Sequence, residues 1–446
     1  MDYIFEFKGI GNSGGDFSMT IPDKNESHPL NVYFNDSDFA RGRQSSDFPS
    51  VVADLVDLAV STCVADWLSF KKTEYQRHLR VKLPLRHPEI FGNFHSVEAL
   101  QSILFWYTGD HWDLEFVPRI EKGRLSECQL CVSGCVPVEV ALWSGGLDAL
   151  AGVYNRSNEI DIETFTLFGT GSNKHTLGVQ QTVYRELKKR LGARINLMQL
   201  PFYVNGAKRF PKNSRLRSRG FTFILLGVAC ALLQRSQKLF TYENGIGAIN
   251  LPYRSSEVGL DHSRSVHPLS LLKMGHLVSE WLGSPFSIEN PFMYKTKAQM
   301  CRIFERHEDL ELVSHTVSCD SRHRQKGHET QCGYCSSCLL RRSSLVAAGV
   351  KDSTRYVVKH SRPSNASDRL HFRVMDFQVE KLRSILATEN PWYNFTRAFP
   401  IIQDIVDHSK GTIDQVNVMT NLMNLYQEYA REWACVSHIL RNDILG

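Results

Sequence analysis

The sequence predicts an α/β fold built on a parallel sheet with helices on both faces. Three observations carry this. Short apolar runs alternate with helix-length amphipathic runs between residues 137 and 245. A Ser-Gly-Gly-Leu-Asp turn joins the first of those strands to the first helix. Four cysteines between 319 and 338 have the spacing of a tetrahedral metal knuckle.

The central elements follow in order. PVEVALW (137–143) reads as a strand, and a helix pattern starts at Asp148. Ile162–Phe168 is a second strand, Thr176–Leu191 an amphipathic helix, and ARINLMQL (193–200) a third strand. Ser218–Leu233 is a long apolar helix, and KLFTYENG (238–245) a fourth strand. Sheets of this kind bind ligands at the carboxyl ends of their strands.

Residues 1–130 read as an N-terminal α/β extension, with a helix over Asp54–Trp67 and short strands at Arg80–Leu85 and Leu114–Val117. The glycine-rich Gly9–Asp16 is expected to be a turn, because no helix pattern follows it. The central domain is placed at 136–350 and ends in a helix over Leu339–Ala348. The stretch 352–371 reads as a polar linker. A C-terminal helical region at 351–446 completes the chain, with helical patterns from Asp376 onward, as in Ile413–Arg431.

Composition excludes several classes. The 446 residues are 42% hydrophobic and 11% aromatic, too apolar for a disordered chain. No run approaches the ~20 apolar residues that a membrane helix needs. The first residues, MDYIFEFKGI, lack the basic start and apolar run of a secretory signal, so a cytoplasmic protein is expected. A net charge of +5 argues only weakly for nucleic acid, which is not expected as a partner. Eleven cysteines, an odd number, argue against a disulfide framework.

The turn Ser144-Gly145-Gly146-Leu147-Asp148 has the parts of an anion cradle. Two glycines let backbone N–H groups approach a phosphate closely. The following helix adds the partial positive charge of its N-terminus. Ser144 offers a hydroxyl, and the Asp148 carboxylate could hold a divalent ion. SGGLDAL resembles the S-G-G-x-D-S signature of the PP-loop ATP pyrophosphatases, with Ala149 where Ser is usual.

Cys319, Cys332, Cys335 and Cys338 form C-x12-C-x2-C-x2-C. Four thiolates fill the tetrahedral shell of Zn2+ and leave no open position, so the site reads as structural. A PP-loop with such a cluster near its end resembles the 7-cyano-7-deazaguanine synthase (QueC-like) family of queuosine biosynthesis. The run from Cys332 to Arg341 matches its CGxCxxC segment, and the resemblance covers roughly residues 137–348.

That resemblance implies ATP, Mg2+ and Zn2+ as cofactors. It implies an ATP site of Ser144, Gly145, Gly146, Leu147, Asp148, Ala149, Gly169 and Gly245, with Asp148, Arg219 and Lys297 as catalytic residues. Gly247 belongs to the same glycine-bearing loop as Gly245. The implied reaction is adenylation of a 7-deazaguanine carboxylate followed by C–N bond formation.

The chain departs from the family pattern after that loop. GIGAINLPYRSSEVGLDHSRSVHP stands where an Asp and a Tyr-Pro-Asp-Cys-Arg stretch are usual. With the two extra terminal regions, the plan resembles an enlarged branch of anti-phage defence proteins (QatC-like). That branch implies a partner protein's N-terminus as acceptor. Alternative readings are nitrile synthesis from ammonia, a non-catalytic ATP-binding scaffold and a tRNA-modifying enzyme.

Lesser features have plainer readings. Cys128, Cys131 and Cys135 form C-x2-C-x3-C without a clear fourth ligand, His111 being a candidate. The stretch AKRFPKNSRLRSRG carries Lys208, Arg209, Lys212, Arg215, Arg217 and Arg219 without an acid, and some of these are expected to reach phosphate. His262, His267 and His276 fall in a long connection, 250–290, and read as hydrogen-bonding loop residues. His307, His315, His323 and His328 surround the zinc cysteines, which need no replacement. The aromatic run Ile103–Tyr107 reads as core or interface.

Overall fold

Alternation along one strand divides the molecule into two layers. In β6 (Val138–Leu142), Val140 and Leu142 join one buried cluster, while Ala141 and the adjoining Trp143 join another. The same split recurs in β7 (Thr164–Gly171), where Phe165 and Leu167 oppose Phe168, and in β9 (Lys238–Phe240), where Leu239 opposes Phe240. Both faces are apolar, so both are covered by helices.

This computed structural model describes residues 2–11, 14–21, 24, 26–42, 48–71, 76–120, 138–159, 163–171, 173–205, 210, 211, 213, 216–253, 264–305, 310–320, 330–409 and 414–445. Its other strands are β1 (Asp2–Gly11), β2 (Gly14–Ile21), β3 (Glu26–Phe34), β4 (His78–Leu85), β5 (His111–Pro118), β8 (Ile195–Asn205) and β10 (Ser287–Glu289). All ten make one sheet in the order β10-β9-β6-β7-β8-β3-β2-β1-β4-β5. The pairs from β10 to β8 are parallel, as are β1 with β4 and β4 with β5. The pairs β8–β3, β3–β2 and β2–β1 are antiparallel. The sheet is thus mostly parallel, as expected, with an antiparallel centre that the sequence reading did not include.

One face carries the helices Ser50–Leu68, Phe94–Thr108, Arg219–Leu233 and Pro268–Leu282. The other carries Leu147–Glu159, Lys174–Leu191 and the short Lys297–Cys301. A third cluster joins the cysteine segment to the C-terminal helices Ala366–Leu386, Pro391–Ala398, Ile401–His408 and Gln415–Leu445. Among the described residues no helix is long and apolar enough to cross a membrane.

Two expectations need correction. The stretch 352–371 is not a polar linker: Tyr356 and Val358 are buried, Tyr356 bridges to Gln331, and a helix has begun by Ala366. Residues 250–290 are not one long connection either, because they contain the Pro268–Leu282 helix and β10. In the first case apolar residues sparse in sequence are gathered by partners distant in the chain; in the second, Leu271, Met274, Leu277, Val278 and Trp281 already recur at helical spacing. Gly9–Asp16 spans the junction of β1 and β2, where Gly11 pairs with Gly14.

The N-terminal region is tied to the centre by buried charge. The Arg77 guanidinium contacts the carboxylates of Asp66 and Asp110, all three almost inaccessible to solvent. Asp66 also accepts from Ser218 N at 2.8 Å, at the head of the Arg219–Leu233 helix. Asn213 Nδ2 donates to Asp66 O and Ser69 O. Arg77→Met should therefore destabilise the chain by about 3–5 kcal/mol, because it takes the cation from buried Asp66 and leaves buried Asp110 with Lys71 alone. Urea unfolding measures this, and hydrogen exchange should show faster opening around Ser218.

Candidate active site

The Ser-Gly-Gly turn leaves the carboxyl end of β6. Trp143 is fully buried, its indole Nε1 donating to Gln180 O at 3.0 Å, which anchors the turn to the neighbouring helix. Gly145 has φ +72, a left-handed conformation that favours glycine, and lies against Val179 and Gln180. The Ser144 hydroxyl is exposed and accepts from Gly146 N at 3.1 Å, holding the loop curled. Leu147 and Ala149 are buried beneath it. Gly169 faces the side-chain amide of Gln180.

Asp148, in the first turn of the helix, is the centre of the site. Its Oδ2 pairs with Lys297 Nζ at 2.6 Å, and its Oδ1 accepts from Asn244 Nδ2 at 2.9 Å. Lys297 is buried. Burial works against its charge, but the Asp148 and Glu243 carboxylates outweigh this and raise it above the usual lysine range. Asn244 Nδ2 also donates to Glu243 Oε1 at 2.9 Å, and its Oδ1 caps the following helix by accepting from Gly247 N at 2.9 Å. Burial, then the Asp148 charge, pushes Glu243 up to about 8.

Gly245 N donates to Lys295 O at 2.9 Å, and a Cβ there would collide with Met293 O and Leu425. The close approach at this glycine is between chain segments. Arg219 stands apart from Asp148 and Lys297: it is exposed at the head of a helix on the opposite face of the sheet. Asp148 and Lys297 are thus brought together, and Arg219 belongs to other surroundings.

The four cysteine sulfurs lie within 4.8 Å of one another, the only such group among the described residues. A tetrahedron with Zn–S of about 2.3 Å has edges of about 3.8 Å. Cys332 Sγ and Cys338 Sγ are 3.7 Å apart, so the donors fit Zn2+. Hydrogen bonds from Cys332, Cys335 and Cys338 hold the Cys319 thiol well below its usual range.

The knuckle is wired to the Ser-Gly-Gly loop. Gln331 Nε2 donates to Thr316 O at 3.2 Å, and Ser318 N donates to Gln331 Oε1 at 3.1 Å. Arg341, fully buried, donates to Thr316 Oγ1 at 2.6 Å. Between these anchors, Val317 N donates to Gly145 O at 3.3 Å.

Sequence reasoning missed Glu243, Asn244 and the supports of Lys297. Thr296 caps the Lys297–Cys301 helix in a reciprocal box with Gln299, and its hydroxyl donates to Glu432 Oε1 at 2.8 Å. Burial pushes Glu432 up to about 7. Asn244 had a legible signal, an Asn before Gly at the end of a strand. Glu432 had none, lying 136 residues from its partner. Cys128, Cys131, Cys135, Lys208, Arg209, Lys212, Arg215, His262, His307, His323 and His328 lie outside the described residues.

Comparison with known proteins gives a match at one part of the chain. Residues 270–349 match the family described as queuosine biosynthesis protein QueC. A 7-cyano-7-deazaguanine synthase of Acinetobacter baylyi is 37% identical over 76 residues, 17% of this chain and 31% of that protein. A 7-cyano-7-deazaguanine synthase 2 of Desulfitobacterium hafniense is 34% identical over 80 residues, 18% of this chain and 31% of its own. The match thus spans about a third of each relative. The family segment contains Lys297 and all four knuckle cysteines, and the Ser-Gly-Gly loop precedes it.

Two outcomes are expected. Cys332→Ser should lower bound zinc from about one per chain, measured by metal analysis, and lower the melting temperature with it. Glu243 gives a pH signature. The folded chain holds its proton up to about 8, whereas the unfolded chain releases it near 4.5, so stability falls as pH rises through that window. Glu243→Gln should flatten that slope in denaturation curves taken at about pH 5 and about pH 8.

Proposed function

We propose that the chain is an ATP-dependent C–N bond-forming enzyme that activates the carboxylate of a 7-carboxy-7-deazaguanine or close analogue. One observation carries this reading. Lys297, inside the QueC-matched segment, pairs at 2.6 Å with Asp148 of the Ser-Gly-Gly loop outside it. The two features that independently point to adenylating chemistry are therefore parts of one site.

The chemistry needs such a site. A carboxylate is a poor electrophile, so one of its oxygens attacks the α-phosphorus of ATP. The bond from that phosphorus to the β-phosphate bridge breaks, and pyrophosphate leaves. An amine then attacks the acyl carbon, AMP departs with the electron pair of the acyl C–O bond, and the nitrogen loses a proton. The backbone amide of Gly145 and the helix N-terminus suit the phosphates. Lys297 supplies positive charge where negative charge develops. Asp148 is the residue that would hold Mg2+, which would neutralise the departing pyrophosphate.

For the acceptor we favour the N-terminal amine of a partner protein, in a role within anti-phage defence. This finer reading rests on the family resemblance and on the added regions. The C-terminal helices border the site: Gln378 Nε2 donates to Leu251 O and Pro252 O, and Leu425 packs on Gly245. A small acceptor such as ammonia needs no such wall. A chain terminus needs a docking surface, and its amine, with a pKa of ~8, is partly neutral near pH 7.

With 7-carboxy-7-deazaguanine, ATP should yield AMP and pyrophosphate. Asp148→Asn should reduce this by about a hundredfold or more, since the charge partner of Lys297 is lost. The amide keeps an oxygen for Lys297, so the variant should stay folded, whereas Asp148→Ala strands a buried cation. ADP and orthophosphate as products, detected by chromatography, would rule the reading out. Intact-mass analysis of a co-expressed partner tests the acceptor. Free nitrile as sole product would point to ammonia.

A further inference from the structure

The last helix, Gln415–Leu445, touches both of the segments that hold Asp148. Leu425 and Glu432 are two helical turns apart, so they lie on one face of it. A Cβ on Gly245 would collide with Leu425 and with Met293 O, so this glycine is clasped between the helix and the turn that leads to Lys297. Glu432 Oε1 accepts from Thr296 Oγ1 at 2.8 Å, one residue before Lys297. Gly245 N donates to Lys295 O at 2.9 Å, so the two segments are also bound to each other. Each supplies one partner of Asp148: Asn244 from the first, Lys297 from the second.

The Thr296 hydroxyl is engaged on both sides. Its oxygen accepts from Gln299 N at 3.1 Å, and Thr296 N donates to Gln299 Oε1 at 2.8 Å, which closes the capping box. Its proton goes to Glu432. Thr296, Lys297 and Glu432 are all buried, so water does not readily replace a lost partner. With donor and acceptor both in use the hydroxyl has one orientation. The backbone of Lys297 beside it is fixed where Nζ reaches Asp148 Oδ2 at 2.6 Å.

Glu432 is costly where it stands. Its ion-pair partner among the described residues, Arg302, is 3.9 Å away and half exposed. Arg302 lies closer to Glu428, at 3.4 Å, and Arg431 donates to both oxygens of Glu428. Burial raises the Glu432 carboxyl to about 7, against the pull of the Thr296 hydroxyl toward the charged form. A buried acid without a close cation contributes little to stability. What it supplies is a charge-assisted hydrogen bond to the residue that precedes Lys297.

We infer that Glu432 is a positioning residue for the activation step: through Thr296 it holds Lys297 against Asp148, and the last helix is thereby part of the catalytic unit. The hold on Lys297 stands on the hydrogen bonds alone; the step it serves rests on the function proposed above. That step needs a fixed cation. Negative charge develops on the α-phosphate as the carboxylate oxygen bonds to phosphorus and pyrophosphate leaves, and a misplacement of about 1 Å costs about a hundredfold in rate.

Two measurements on the full chain test this. The first is acetylation of lysines by acetic anhydride, read by peptide mass spectrometry, which needs no substrate. Glu432→Met keeps an unbranched side chain of similar length but no acceptor. Lys297 should then acetylate about tenfold or more faster than in the parent, as expected for the loss of one hydrogen bond to a charged group. Lys71, paired with buried Asp110 in the N-terminal region, is the internal control and should keep its rate. The second is formation of AMP and pyrophosphate, with kcat expected to fall about tenfold or more and ATP affinity by calorimetry to change less. Glu432→Gln puts back an acceptor oxygen and should return both readouts toward the parent. If Glu432→Met does not fold, Glu432→Asp, whose shorter chain withdraws the oxygens, carries the same comparison. Faster labelling of Lys297 in a chain that makes no AMP keeps the positioning role and refutes the proposed reaction. Unchanged Lys297 labelling, equal acceleration at Lys71, or no recovery with Glu432→Gln overturns the positioning role.

Discussion

The buried pair of Asp148 and Lys297 is the constraint around which the rest is arranged. Neither charge could sit in so protected a place alone, so each requires the other. Satisfying both oxygens of Asp148 draws three distant segments together: the Ser-Gly-Gly loop, the Asn244 cap after β9, and the turn through Thr296. Asn244 cannot rotate away without abandoning a carboxylate or the helix it caps. The geometry of the loop is therefore enforced by electrostatics from one side and by close packing of Gly145 on the Gln180 helix from the other.

The four-cysteine knuckle and the C-terminal helices act on the same pair from outside. The knuckle reaches the loop through Thr316–Ser318, with Val317 bonded to Gly145. The last helix reaches Lys297 through Glu432 and Thr296. Arg342 pairs with Asp443 near the end of that helix and donates to Gly333 O in the knuckle, so the two supports are joined. Few intermediates thus separate the four-cysteine knuckle from the Ser-Gly-Gly loop.

What the sequence made legible is what is local. The strand-turn-helix at Ser144 and the cysteine spacing need only a few neighbouring residues to be recognised, and the four sulfurs do converge. Tyr3, Phe5 and Phe7 alternate as a strand should, yet β1 to β3 went unread, because their role depends on β3 meeting β8 some 170 residues away. The same holds for 352–371, where polar composition concealed Tyr356 and Val358. Arg264 and Trp106, 158 residues apart, could not have been paired from spacing at all. Chemistry carried by a motif is readable; chemistry assembled by topology is not.

The extent of the family match has a physical consequence. Residues 270–349 contribute a single strand, β10, at one edge of a ten-stranded sheet. An edge strand of three residues cannot build a core, so this segment folds only against the remainder. That remainder includes both terminal regions. The first supplies the helix end on which Arg264 stacks and the carboxylate of Asp66 that meets Ser218 N. The second supplies Glu432 and the wall at Leu251. Each terminal region thus holds one side of the same sheet edge, so neither the Ser218 helix head nor the Lys297 turn keeps its setting without chain that lies far from it in sequence.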